Sequence, residues 1–282
     1  MIQHALTVDV EDWHRLMARR LTGQIVPMSN QVTDLTEKIL EFLAQRNTLA
    51  TFFIVGELAE AKPDLVRAIA RGGHELATHG YAHLRVDSLK PEEFRAEIKR
   101  SVAILEEISG QRILGHRAPE FSITRENFWA FEVLAKEGLV YDSSIFPVRS
   151  RRYGIPDFSR WPCRMVECAG SLLEFPLATL ELGGWRLPAA GGGYLRLLPY
   201  AITREAVRQL ERNGTPAVIY VHPYDFPGER LQLHVEGYSG GFWKEQYWLN
   251  KHNLGRRHSV QRLDQLLDEF TFGPIRELID GI

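Results

Sequence analysis

The sequence predicts an α/β fold with a parallel sheet or barrel at its centre. Apolar, β-branched runs alternate with amphipathic helical stretches along most of the chain. Four residues able to do chemistry, Asp9, His79, Arg117 and His222, each stand where one of those runs ends. In parallel α/β folds the carboxyl ends of the strands share one face, so residues distant in sequence converge there.

Taken in order, residues 5–10 read as the first strand. Residues 31–45 read as a helix, with Val32, Leu35, Ile39, Phe42 and Leu43 recurring on one face. Residues 50–55, Ala-Thr-Phe-Phe-Ile-Val, have the composition of a buried strand. A short helix over 63–71 opens on Pro63 and closes at Gly72. After the Gly72-Gly73 break a short strand leads into His79 and His83. Ser88 is expected to cap the next helix, which has Pro91 in its first turn and Gly110 as its stop. Its apolar face carries Phe94, Ile98, Val102, Leu105 and Ile108. Residues 113–121 read as a strand with its loop, 124–136 as a helix, and 140–145 and 171–177 as strands. A helix over 203–213 precedes the strong strand 217–221. From about Leu231 the alternation lapses: Phe242, Trp243, Tyr247 and Trp248 form an aromatic cluster, followed by a helix near 260–270. Residues 1–230 are expected to form the barrel, and 231–282 an extension packed on it rather than a second domain.

With 282 residues, 44% apolar and 25% charged, the chain has the composition of a soluble globular protein. A formal net charge of −2 offers no broad basic field for nucleic acid or acidic lipid. The cluster Arg149, Arg151 and Arg152 reads as a solvated loop. No apolar run approaches the roughly 18 residues of a membrane helix, and no charged-then-apolar leader precedes the first strand, so a cytoplasmic protein is expected. Two cysteines, Cys163 and Cys168, make neither a disulfide framework nor a zinc knuckle. The oligomeric state is left open.

His79 and His83, four apart, fall on one side of a helical turn or tight loop, a spacing that can hold a metal. His74-Glu75 superficially resembles the start of a metalloprotease helix, but Thr78 stands where that motif needs its second histidine. Asp9, Glu11 and Asp12 follow the first strand and can supply a general base and a metal ligand from one loop. Strand alternation puts Asp9 and Glu11 on one side; an early turn would present Asp12 instead, so both Glu11 and Asp12 stay candidates. Arg117 is placed to pair with Asp9 and keep it ionised. Pro223 holds His222 extended, and a histidine there suits proton donation near neutral pH. Gly191-Gly192-Gly193 lacks a following Lys-Ser/Thr and reads as a flexible lip rather than a phosphate cradle. Trp185, Tyr194, Tyr224 and the cluster at 242–248 are candidate sugar-stacking aromatics, with Trp185 and Tyr224 foremost. His252 and His258, in a polar stretch, are expected to be exposed.

Read in order, Thr7-Val8-Asp9-Val10-Glu11-Asp12, His79-Gly80-Tyr81-Ala82-His83, Arg117-Ala118-Pro119 and Tyr220-Val221-His222 resemble the motifs of the NodB-like polysaccharide deacetylases, a family of carbohydrate esterases. The Asp-Val-Glu-Asp-Trp and Arg-Ala-Pro-Glu-Phe-Ser forms, the triple glycine and the carboxyl-terminal extension are similar to a subfamily linked to bacterial exopolysaccharide loci. The resemblance spans residues 5–226 and implies a distorted (β/α) barrel. It also implies a divalent metal on two histidines and a carboxylate, and hydrolysis of an N-acetyl group. Val10 departs from the family's adjacent aspartates, so the third ligand lies between Glu11 and Asp12, while the base carries over to Asp9. On this reading His79, His83 and Glu11 or Asp12 hold Zn²⁺ or another divalent metal. Asp9, steered by Arg117, takes a water proton, and His222 protonates the sugar amine. The expected substrate is an N-acetylated sugar of a bacterial polysaccharide or its lipid- or nucleotide-linked precursor. Competing expectations are a small linear or cyclic amide or imide, and a catalytically silent carbohydrate-binding protein.

Overall fold

β1 (Gln3–Val10) is buried along seven of its eight residues, as a central parallel strand covered on both faces must be. The computed structural model describes the chain apart from residues 1, 167–170, 234 and 236–240 and the side chains of Val166 and Phe242; Cys168 lies outside the described residues. The chain continues through α1 (Trp13–Thr22), α2 (Asn30–Gln45), β2 (Thr51–Ile54), α3 (Gly56–Ala61), α4 (Pro63–Arg71) and β3 (Glu75–Thr78). Next come α5 (Pro91–Ser109), β4 (Gly115–His116), α6 (Trp129–Lys136), β5 (Tyr141–Asp142), β6 (Cys163–Val166) and β7 (Leu172–Glu174). A hairpin of β8 (Thr179–Leu182) and β9 (Trp185–Pro188) leads to α7 (Gly193–Leu197), α8 (Tyr200–Arg212) and β10 (Val218–Val221). The chain ends with α9 (Phe242–Asn253), α10 (Arg256–Glu269) and β11 (Thr271–Gly273).

The main sheet runs β10-β1-β2-β3-β4-β5-β7-β6, with β11 added beside the start of β1. Its pairings are parallel except β6 on β7. The sheet curls into a half-barrel, and its register sets the height of each site residue. Val10, Ile54, Thr78 and His116 lie level across four strands. The next residues after β1, β3 and β4, namely Glu11, His79 and Arg117, therefore leave the sheet together. Val8 pairs with Val221, which puts Asp9 level with His222. This shared strand-end geometry is the one the alternating pattern predicts.

Across the open side of the half-barrel, Gly191 forms a parallel bridge to Tyr220 and Ala178 N donates to Val218 O at 3.1 Å. The triple glycine is thus packed against β10 rather than hanging as a free lip. A Cβ on Gly191 would fall 1.7 Å from Tyr220 O, and one on Gly192 would press on the Tyr220 ring at 2.8 Å. Both glycines also have φ in the left-handed half of the map, +143° and +53°. Gly191→Ala is accordingly expected to destabilise the fold by about 3 kcal/mol or more, read as a drop in the urea midpoint.

The helices follow the apolar periodicity closely: Val32, Leu35, Ile39 and Leu43 of α2, and Phe94, Ile98 and Leu105 of α5, are buried. Ser88 does not cap α5. Its hydroxyl donates to Arg85 O at 2.6 Å, closing a 3-10 turn over Val86–Ser88, and Lys90 takes the cap position with its N–H held by Glu93. Gly110 ends α5 in the left-handed conformation, as expected. α1, α9 and the β8–β9 hairpin have no counterpart in the sequence reading. Leu263, Leu266, Phe270, Phe272 and Ile275 join the same apolar core as β1 and β2. No helix among the described residues is long and apolar enough to cross a membrane.

Candidate metal centre and active site

Glu11, His79 and His83 offer ligand atoms that all lie within 4.8 Å of one another. Each is held differently. His79 is buried, and its Nδ1–H donates to Arg117 O at 2.8 Å, which fixes the tautomer and leaves Nε2 with its lone pair. Burial pushes the His79 imidazole down to about 4, outweighing the nearby Asp9 and Glu11 carboxylates, so it is neutral at physiological pH. His83 sits at φ 52°, a region costly for a residue with a Cβ and one that persists only where its surroundings enforce it. Burial would raise the Glu11 carboxyl, yet His83 and His222 hold it well below the usual range.

Three groups therefore converge on one point: a neutral imidazole with its lone pair free, a second imidazole and an ionised carboxylate. His83 Nε2 lies 2.7 Å from Glu11 Oε2 but is buried without a partner in hydrogen-bond geometry. Two ligand atoms this close, with His79 beside them, make a donor set that suits Zn²⁺. Asp12 departs from the expectation that it might supply the ligand. Its Oδ1 accepts from His14 N, capping α1, and from Ser29 Oγ, at 3.0 Å each, while Oδ2 accepts from Ser29 N, so both oxygens are engaged.

Asp9 is 2% exposed, and its Oδ1 accepts from Arg117 Nη1 at 2.7 Å. Arg117 is wholly buried and makes four hydrogen bonds: Nη1 also reaches Thr7 Oγ1 at 2.7 Å, Nε reaches Ser143 O and Nη2 reaches Ser143 Oγ, both at 2.8 Å. Its guanidinium lies 4.2 Å from the Phe53 ring centre. Such an arginine cannot move to substrate; it fixes Asp9. The strand end that presents it is pinned in turn, because Ala118 N donates to Ser144 Oγ, which donates to Asp142, itself paired with His116.

His222 faces this group from the opposite side. Its Nε2 lies 3.1 Å from Glu11 Oε1, and its Nδ1 is 2.8 Å from Asp225 Oδ2. Burial alone would depress it, but Asp225 and Glu11 raise it to about 10, so it is an imidazolium near neutral pH. Asp225, buried and itself paired with Arg196 Nε at 2.8 Å, escaped the sequence reading. Its only signal was a carboxylate three residues beyond His222, after Pro223.

Asp9, Glu11, His79, His83 and His222 line the floor of a cavity of about 790 Å³. Tyr224 lines it too, stacked on His222 with ring centres 4.5 Å apart and its hydroxyl donating to Glu11 Oε1 at 3.2 Å. Trp185 is absent from its walls: it starts β9 and is 74% exposed on a separate two-stranded sheet. Trp248, Lys251 and His252 of α9 form part of the wall instead. His252 is half-buried, its Nδ1–H donating to Trp248 O at 2.9 Å, and burial lowers it to about 4. His258 is half-buried as well. Arg149 and Arg151 are exposed as expected, but Arg152 reaches back to the cavity mouth.

Residues 22–137 match the family model described as polysaccharide deacetylase, and residues 143–280 match a domain of unknown function, DUF3473. A peptidoglycan-N-acetylglucosamine deacetylase of Bacillus cereus is 36% identical over 100 residues, covering 35% of this chain and 36% of its own. A chitooligosaccharide deacetylase of Bradyrhizobium is 28% identical over 100 residues, covering 36% of this chain and 43% of its own. The chain thus spans less than half the length of these curated relatives. A crystal structure of a putative polysaccharide deacetylase from Mycobacterium smegmatis covers 99% of this chain and 89% of its own, with TM-score 0.65 and 22% identity. That likeness shows the fold. The sequence matches show a likeness to polysaccharide deacetylases over residues 22–137.

Proposed function

We propose that this chain is a metal-dependent hydrolase that removes N-acetyl groups from amino sugars of a bacterial polysaccharide or its precursor. The observation that carries this reading is the convergence of Glu11, His79 and His83 beside two further polar pairs, Asp9–Arg117 and His222–Asp225. The breadth of the cavity, about 790 Å³, favours a glycan over a small imide.

Glu11, His79 and His83 would hold the cation, with Zn²⁺ the expected metal. When bound, it supplies a Lewis acid for the acetyl carbonyl and eases deprotonation of water. Asp9, oriented by Arg117, accepts the proton of the attacking water. His222, held as imidazolium by Asp225, donates from Nε2 to the sugar nitrogen as the C–N bond breaks. Base and acid thus stand on different strand ends, and neither must change roles within one turnover.

The reading is tested by acetate release from N-acetylated oligosaccharides by the Zn²⁺-loaded protein; no release from any of a panel of such glycans would reject it. The acid assignment has its own test in pH–rate profiles. Removing a carboxylate partner lowers the pKa of an imidazolium. Asp225→Asn is therefore expected to shift the alkaline fall of kcat to lower pH, with metal content unchanged. An alkaline limb that stays in place would exclude His222 as the proton donor.

A further inference from the structure

The mouth of the cavity carries charge that a neutral sugar would not use. Glu120, at φ 54°, accepts from three guanidiniums: Arg20 of α1, Arg85 just after His83, and Arg152 from the loop beyond β5. One carboxylate gathers three arginines from three separate segments, and all four residues line the cavity. Asp87 pairs with Arg85 outside it. Arg19 and Lys251 also line the cavity, and neither has a carboxylate partner among the described residues. Arg19 donates to Ala82 O, and Lys251 Nζ stands 4.7 Å from the Trp248 ring centre, with the Arg20 guanidinium at 4.9 Å.

At the mouth five cations thus face one lining carboxylate, Glu120, with Asp87 outside the cavity; Arg196 lines it too, paired with Asp225. Clustered cations repel one another, and the Lys251 ammonium shows it: burial lowers its pKa first, then Arg152, Arg20 and Arg196. A partly enclosed surplus of this kind attracts and focuses anions. Guanidiniums fixed by a shared carboxylate present planar donor forks suited to a carboxylate or phosphate. Trp248, itself stacked on His252, lies against two of these cations and holds them at the cavity wall.

Resting on the deacetylase reading, we infer that the preferred substrate is an N-acetylated sugar carrying an anionic group, which Arg20, Arg85, Arg152 and Lys251 bind at the mouth while the acetamide lies on the floor. The anion is a uronate within the glycan or a phosphate linked to it.

The Zn²⁺-loaded protein is assayed for acetate release from three substrates: a neutral chitooligosaccharide, an oligosaccharide of equal length alternating N-acetylhexosamine with uronate, and a pyrophosphate-linked N-acetylhexosamine. We expect kcat/KM for one anionic substrate to exceed that for the neutral one by about tenfold or more. This preference should shrink as NaCl rises from 50 to 300 mM, because exposed charge pairs are screened. Arg152→Gln combined with Lys251→Gln should reduce the preference severalfold, mainly through KM. The better anionic arm identifies the source of the charge. Equal kcat/KM on neutral and anionic substrates, with no salt effect, would overturn the inference and leave deacetylation standing. Salt-sensitive binding of the uronate oligosaccharide by calorimetry, without acetate release from any substrate, would reject deacetylation and support the anion site.

Discussion

An Asp9→Asn variant retains its bound metal and loses about 10²–10⁴-fold in kcat, the range a positioned general base contributes. The expectation follows from what Asp9 touches. Its Oδ1 accepts from Arg117 Nη1 at 2.7 Å, and the asparagine carbonyl can keep that bond. Arg117 then stays satisfied by Thr7 and Ser143 as well, so the fold is preserved while the basic oxygen is lost. Alanine would be a poorer probe, since breaking a buried charge pair costs about 3–5 kcal/mol and confounds catalysis with stability. Acetate release, metal content and urea midpoint measured on the same preparation separate these effects. Wild-type kcat in Asp9→Asn would remove Asp9 from the chemistry.

His79→Ala should lower acetate release by at least about 10³-fold and weaken zinc binding, because it deletes one of three ligands. It differs from Asp9→Asn in a second readout: the metal content falls together with the activity. The vacated Nδ1–H bond also releases Arg117 O, so a modest loss of stability is expected. Full zinc occupancy in His79→Ala would place the metal elsewhere or show that His79 is not a ligand.

Much of this site was legible because parallel strands deliver their ends to one face. Asp9, His79, Arg117 and His222 could each be found as a polar residue at the end of an apolar run, and the register sets Glu11, His79 and Arg117 in one row with Asp9 and His222 two residues below it. The choice between Glu11 and Asp12 was not legible. Both follow β1, and what separates them is that Asp12 caps α1 through His14 N and is also held by Ser29, seventeen residues on. Helix α1 itself was obscured because the acids before Trp13 were read as chemistry rather than as a start signal. Ser88 misled for a related reason: a cap residue near Pro91 is a good local signal, but its hydroxyl is engaged by Arg85 O. Trp185 was chosen by residue type alone, and nothing in its neighbourhood reports that β8 and β9 form a separate hairpin. The cluster around Glu120 had no sequence signal at all, since its arginines come from positions 20, 85 and 152.

The central claim is that loops from two strand ends share one cation through Glu11, His79 and His83. Calorimetric titration of Zn²⁺ into metal-free wild type, Glu11→Ala and Asp12→Asn tests it most directly. The account predicts one site per chain in the wild type, affinity reduced by about 10²-fold or more in Glu11→Ala, and affinity essentially retained in Asp12→Asn. Absence of a site in the wild type, or loss of binding in Asp12→Asn with retention in Glu11→Ala, would contradict it.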